Sequence, residues 1–136
     1  MIGSVKPPLE LKKRLLSSKQ LQQHNFSFGQ SGEETALRYL RTKGYQILDT
    51  NVRFGNHEID IVVLDPHFHE IVFIEVKARK SEQFGSATTA VNYRKLKSLR
   101  VAATQYLKLK QLAHDYRFDI ITVLPNKVDH FENVTW

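Results

Sequence analysis

Residues 58–78 read EIDIVVLDPHFHEIVFIEVKA, two apolar runs joined across Asp65-Pro66-His67-Phe68-His69. Short runs rich in Ile, Val and Phe, interrupted by a Pro-containing turn, predict a β-hairpin. Asp at the first turn position and Pro at the second suit a type I turn, so a loop of residues 66–69 sets Asp65 opposite Glu70. The same register carries Asp60 across from Glu75 and Glu58 across from Lys77. Side chains alternate along a strand, which gives one wholly apolar face of Ile59, Ile61, Val63, Val72, Ile74, Val76 and Ala78. The other face is apolar only at Val62, Leu64, Ile71 and Phe73, with Glu58, Asp60, Glu75 and Lys77 gathered at its far end. Directly opposed residues hold their Cβ atoms roughly 4.5–5.5 Å apart. Two carboxylates about 4 Å apart repel by roughly 4 kcal/mol at an effective dielectric near 20. A cation should offset this, and hard oxygen ligands suit Mg²⁺ or Mn²⁺ between Asp60 and Glu75. A register shifted by two residues instead sets Asp60 opposite Lys77, an ordinary cross-strand ion pair. That alternative needs a two-residue Phe68-His69 loop, and neither residue favours the positive φ such a turn demands.

Upstream, Ser31 or Gly32 is expected to cap a helix with Glu33 and Glu34 in its first turn and Ala36, Leu37 and Leu40 as its apolar stripe, ended by Gly44. Tyr45–Phe54 reads as a strand before the hairpin strands Glu58–Asp65 and Glu70–Arg79, the three forming a meander. Downstream, Leu96, Leu99, Ala103, Tyr106 and Leu107 recur at helical spacing in a long helix from Ser86 to about Leu112. Arg117–Leu124 reads as a buried strand and Val128–Val134 as a short edge strand. The order α-β-β-β-α-β-β predicts an α/β (α+β) domain with a central mixed sheet flanked by helices. Residues 1–28 read as a basic extension, a tail or marginal helix, and residues 29–136 as a single domain.

The chain's 136 residues fit one core. With no cysteine, a disulfide scaffold, thiolate zinc sites and cysteine nucleophiles are excluded, and a cytoplasmic home is expected. No apolar stretch approaches a membrane span. The formal net charge of +6 favours a polyanionic partner. Its position sharpens the point: Lys77, Arg79, Lys80, Arg94, Lys95, Lys97, Arg100, Lys108 and Lys110 meet only Glu82 between residues 77 and 110. A second basic cluster, Lys6, Lys12, Lys13, Arg14 and Lys19, lies in the N-terminal extension.

Asp60 followed by Glu75-Val76-Lys77 on the next strand resembles the D…(D/E)-x-K signature of the restriction-endonuclease-like nuclease superfamily. More of the chain agrees. Gly29-x-x-Gly32-Glu33-x-x-Ala36, Tyr39-Leu40, Gly44-Tyr45, Asn51-x-Arg53, Glu58-Ile59-Asp60, Phe73-Ile74-Glu75-Val76-Lys77-Ala78-Arg79, Phe84-Gly85, Ala90-Val91, Lys95 and Arg117-Phe118-Asp119 resemble, in order, the YraN family of small uncharacterised bacterial proteins. The resemblance runs from about Phe28 to Asn133 and implies a restriction-endonuclease-like core similar to archaeal Holliday-junction resolvases. It implies a metal-dependent endonuclease acting on structured or branched DNA, with Mg²⁺ or Mn²⁺ as cofactor and a homodimer left open. Carried over by position, it makes Asp60 and Glu75 the metal-binding carboxylates and Glu33 an additional acid from the first helix. Lys77 would orient or activate water, while Arg79 and Lys95 would meet phosphates; Arg100 belongs to the same basic track. One departure is His57, where the family usually carries glycine before its Glu-Ile-Asp.

Other candidates carry less. His57, His67 and His69 lack the spacing of a zinc site. Gly85-Ser86 suits an anion-binding helix start or a simple N-cap. Tyr93, Tyr106 and Tyr116 suit base stacking, although helical spacing assigns Tyr106 to the core, and Arg117 is expected to pair with an acid. Two further function classes remain beside the nuclease: a catalytically silent nucleic-acid-binding module or accessory subunit, and a protein-interaction domain whose basic helix meets an acidic partner.

Overall fold

The computed structural model describes residues 28–80 and 93–134. Helix α1 spans Phe28–Thr42, and strands β1 (Gln46–Phe54), β2 (His57–Leu64) and β3 (Ile71–Ala78) follow it. Helix α2 (Tyr93–Lys110) then leads to β4 (Tyr116–Leu124) and β5 (Lys127–Phe131). The strands form one mixed sheet in the order β1-β2-β3-β4-β5. Neighbours are antiparallel except β3 and β4, which run parallel with α2 between them in the chain. The element order is the one the sequence predicts. The residue 1–27 part of the basic extension and the Ser86–Asn92 part of the long helix lie outside the described residues.

Each face of the sheet is covered by one helix. Ala36, Leu37 and Leu40 of α1 pack on Ile47, Ile61, Val63, Val72, Ile74, Ile121 and Val123. Leu96, Leu99, Ala102, Ala103 and Tyr106 of α2 pack on Leu48, Val62, Ile71, Phe73, Phe118 and Ile120. Each fully buried large apolar side chain of this kind contributes about 1.5–3 kcal/mol. Tyr106 is thus a core residue, as its spacing predicts. The central pair β3 and β4 is buried along most of its length, as expected for parallel strands covered on both faces. Ile59 departs from strict alternation: it joins the cluster under α2. It lies where β2 is paired to β1 alone, beyond the end of the β2–β3 ladder.

Two local expectations are corrected. Helix α1 begins at Phe28 rather than at a Ser31 or Gly32 cap, so Gly32 is an interior residue and Glu33 lies beyond the first turn. Gly32 is used for close packing: a Cβ there would stand 3.0 Å from the Ala78 Cβ. The helix end is as read. Gly44 takes φ +90°, and the Gly44 and Tyr45 N–H groups donate to the Arg41 and Leu40 carbonyls, a Schellman ending.

The β2–β3 turn keeps the predicted register, with residues 66–69 as its loop. His69, at φ +56°, donates its N–H to the Asp65 carbonyl (2.9 Å), and Asp65 N–H closes on the Glu70 carbonyl (2.9 Å). The Asp65 carboxylate braces this loop, its Oδ1 accepting from the His67 (2.7 Å) and Phe68 (3.4 Å) N–H groups. Finally, β5 ends at Phe131, shorter than the predicted Val128–Val134.

Candidate active site

The β2–β3 ladder runs from Leu64↔Ile71 to Ile61↔Ile74, the unshifted register. Beyond that pair β2 continues beside β1 while β3 continues beside β4, so the sheet forks where Asp60 and Glu75 begin. The fork corrects one expectation. Glu58 does not face Lys77; it pairs in register with Arg53 of β1, whose Nη2 lies 3.3 Å from Glu58 Oε2.

At the fork the Val76 N–H donates to Asp60 Oδ2 at 2.8 Å. A side chain from one branch thereby holds the backbone of the other. Burial first, then the neighbouring Glu75 carboxylate, push the Asp60 carboxyl up to about 7; the Val76 N–H opposes this, and Glu33 and Glu58 add to it. Glu75 ends a run of five buried residues in β3, and its side chain is 6% exposed. Two cations meet it: Lys77 Nζ lies 3.2 Å and Lys95 Nζ 3.5 Å from the same Oε2. Lys77 therefore pairs with Glu75 on its own strand, not with Asp60.

Glu33 approaches from α1. Burial raises its carboxyl above the ordinary range and a hydrogen bond with the Asn51 side chain lowers it, while Glu58 and Glu75 add smaller upward pushes. Asn51 itself adopts φ +51° in β1, a conformation Asn tolerates better than most residues. Sequence reasoning gave Asn51 no chemical role; its place before Arg53 in the family pattern was the available signal. Of the remaining site residues, Arg79 is half-buried, its N–H donating to the Val123 carbonyl (2.9 Å), and Arg100 is exposed on α2. His57 Nδ1 and Ser98 Oγ are 2.8 Å apart, which ties the start of β2 to α2 about one helical turn beyond Lys95. His67 and His69 are exposed turn residues.

Among the described residues no three His, Asp or Glu side chains form a ready ligand cluster. The donor set still suits Mg²⁺, which keeps several waters and is usually bound through one or two carboxylates together with substrate phosphates. Asp60 and Glu75 are two such carboxylates. Asp60 has the Val76 N–H as its hydrogen-bond donor among the described residues, which leaves acceptor capacity at a half-buried position.

A second polar cluster sits at the turn end of the hairpin. Arg117 is buried and pairs, as expected, with an acid: Nε and Nη2 bind Asp119 at 3.0 and 3.2 Å. Its Nη1 donates to Asp65 Oδ2 and Glu70 Oε1, both at 2.8 Å, and Nη2 to the Tyr45 hydroxyl at 3.1 Å. Asp119 also accepts from the Asn133 N–H (2.9 Å) and contacts His130 Nε2 (2.7 Å), whose Nδ1 lies 2.9 Å from the Tyr39 hydroxyl. Burial works upward on Asp65 and Asp119, but hydrogen bonds led by Arg117 for Asp65 and by His130 for Asp119 outweigh it, so both carboxyls titrate below the usual range.

The family model described as "Uncharacterised protein family UPF0102" matches residues 32–123. The chain is 43% identical over 105 residues to a UPF0102 protein of Thermodesulfovibrio yellowstonii, covering 77% of this chain and 92% of that one. It is 41% identical over 116 residues to one from Alkaliphilus oremlandii, covering 80% and 97%. A third, from Pelotomaculum thermopropionicum, is 42% identical over 112 residues, covering 77% and 92%. The matched span holds Glu33, Asp60, Glu75, Lys77 and Lys95; β5 lies outside it. Among the described residues no helix is long and apolar enough to cross a membrane.

Proposed function

The chain belongs to the uncharacterised protein family UPF0102, and from its site we propose a divalent-metal-dependent endonuclease that hydrolyses phosphodiester bonds in structured DNA. The observation that carries the reading is the fork: a half-buried Asp60 whose carboxyl is pushed up to about 7 beside the buried Glu75, with an ammonium 3.2 Å from Glu75. Asp60 and Glu75 would hold Mg²⁺ or Mn²⁺, with Glu33 as an additional acid near both. The ion when bound supplies charge compensation on the phosphate and a more acidic water. Lys77 would orient the attacking water and add positive charge where the phosphate oxygens become more negative. Lys95, Arg79 and Arg100 meet the backbone of the substrate. The preference for branched DNA rests on the likeness of the family to Holliday-junction resolvases.

The test is a cleavage screen over branched, flapped, single-stranded and linear DNA with Mg²⁺ or Mn²⁺. Glu75→Gln keeps the shape of the side chain, so it should abolish divalent-dependent cleavage while leaving DNA affinity equal or tighter. Cleavage by Glu75→Gln at the wild-type rate would sink the assignment. Replacing Lys95 and Arg100 with Ala should flatten the salt dependence of binding by about one unit of slope per lost contact. One observation favours the silent-module alternative: Glu75 already carries two ammoniums and so has its charge answered. Salt-sensitive DNA binding with no cleavage of any substrate in the screen would select that reading.

A further inference from the structure

The two ammoniums on Glu75 differ in how they are held. Lys77 is rooted in β3, two residues from Glu75, and its side chain is 21% exposed. Lys95 comes from the first turn of α2 and is 39% exposed. The helix it belongs to has no acid between Tyr93 and Lys110 and exposes Arg94, Lys97, Arg100 and Lys108 to solvent. Lys95 thus joins a buried carboxylate to a basic, acid-free helix surface.

A divalent cation arriving at Glu75 Oε2 meets two like charges that already stand 3.2 and 3.5 Å from its ligand atom. One must withdraw. The ammonium on the more exposed side chain, at the longer distance, gives up less and reaches water sooner. A phosphate along the α2 surface offers it a new anion at the same moment. We infer that Lys95 is a shared residue which passes from Glu75 to a nucleic-acid phosphate, so that polyanion and divalent cation strengthen each other's binding. The inference rests on the nuclease reading of the same site and adds to it the order of events: cation affinity is low until the nucleic acid has engaged Lys95. Thermodynamic linkage makes the effect reciprocal, so the cation must tighten nucleic-acid binding by the same factor.

The experiment uses the full chain and follows free Mn²⁺ by its paramagnetic resonance signal, with and without a short phosphorothioate duplex whose own Mn²⁺ binding is subtracted. In the wild type the duplex should raise Mn²⁺ affinity on the order of tenfold. Lys95→Gln should bind Mn²⁺ more tightly than the wild type without duplex and gain little when it is added. Lys95→Arg, which keeps the charge, should retain the gain. Loss of Mn²⁺ binding in Asp60→Asn locates the ion. If Asp60→Asn binds Mn²⁺ as the wild type does, the metal reading falls and this inference with it. If Mn²⁺ binding needs Asp60 but the duplex gain is absent, or equal in Lys95→Gln, only the inference is overturned.

Discussion

The two polar ends of the sheet contain similar groups arranged to opposite effect. At the turn end, Asp65, Glu70 and Asp119 surround one guanidinium, and backbone N–H groups of His67, Phe68 and Asn133 complete the donors. Every carboxylate there is answered, and the carboxyls of Asp65 and Asp119 titrate low. At the fork, Glu33, Asp60 and Glu75 are met by two lysines, but both lysines sit on one oxygen of Glu75. Burial and the surrounding carboxylates push the carboxyls of Asp60 and Glu33 upward. Acid count does not distinguish the two ends; the distribution of donors does. A buried cluster whose donors are well spread holds strands together, whereas one with a donor-poor carboxylate stores unfavourable charge that a bound cation relieves.

The largest expected effect breaks the structural end. Arg117→Leu would take the guanidinium from the buried Asp65 and Asp119, leaving, among the described residues, Asp65 only the His67 and Phe68 N–H groups and Asp119 only His130 and the Asn133 N–H, and losing one partner of a buried pair costs about 3–5 kcal/mol. Urea unfolding should register it, whereas Glu75→Gln should unfold near the wild-type midpoint. The pH profile follows the same logic. A carboxyl whose folded pKa is lowered lends stability above the ordinary carboxylate range and loses it as pH falls through the folded value. Wild-type stability should therefore drop below about pH 4, and Arg117→Leu should flatten that drop. A full acid transition retained in Arg117→Leu would show that the cluster does not set it.

Much of this architecture is legible in the sequence because it follows from period and turn chemistry. The alternation in residues 58–78 and the Asp65-Pro66 turn establish the hairpin register that brings Asp60 to Glu75. The helical recurrence from Leu96 to Tyr106 gives α2 and its core face. What is not legible is where the strands part: pairwise register extends Asp60/Glu75 to Glu58/Lys77, yet the ladder ends at Ile61↔Ile74 because the neighbours β1 and β4 claim the two branches. The start of α1 is hidden for a similar reason. Gly32 reads locally as a cap, but it is a contact with Ala78 from a distant strand. The Lys95–Glu75 pair, a long-range contact between a helix and a strand, has no local signature at all.

A smaller effect should come from that glycine, and it acts on the fork alone. Gly32→Val places branched carbons where a Cβ would already be 3.0 Å from the Ala78 Cβ and 4.0 Å from the Val123 Cβ. Overpacking of this kind destabilises by about 1–3 kcal/mol. Helix propensity returns only a fraction of that, because Val is a modest helix former. The strain is expected to lift the start of α1 and carry Glu33 away from Asp60, while the Arg117 cluster stays intact. Carboxyl titration by NMR would check it: the Asp60 carboxyl should move down as Glu33 recedes, with Asp119 unchanged. Equal movement of both would mean that the two ends are not independent.

The smallest expected effect has the opposite sign and bears most directly on the contrast. An acid whose folded pKa is raised keeps its proton in the folded chain at a pH where the unfolded chain has lost it, so stability falls as pH rises. For Asp60 the window runs from the ordinary value of 3.8 to about 7. The substitution Asp60→Asn puts a neutral amide there at every pH, and the amide oxygen can still accept the Val76 N–H, so it removes the charge and little else. Without divalent ions the variant should match the wild type near pH 4 and exceed it above pH 7. Allowing for solvent access, the gain should be on the order of 1 kcal/mol. Adding Mg²⁺ should close the gap by stabilising only the wild type, since a ligand that binds the folded state alone raises its stability by mass action. Were Asp60→Asn less stable than the wild type at pH 8 in the absence of divalent ions, the Asp60 carboxylate would be as well satisfied as that of Asp119. The fork would then be a second structural cluster, with no stored charge for a cation to relieve.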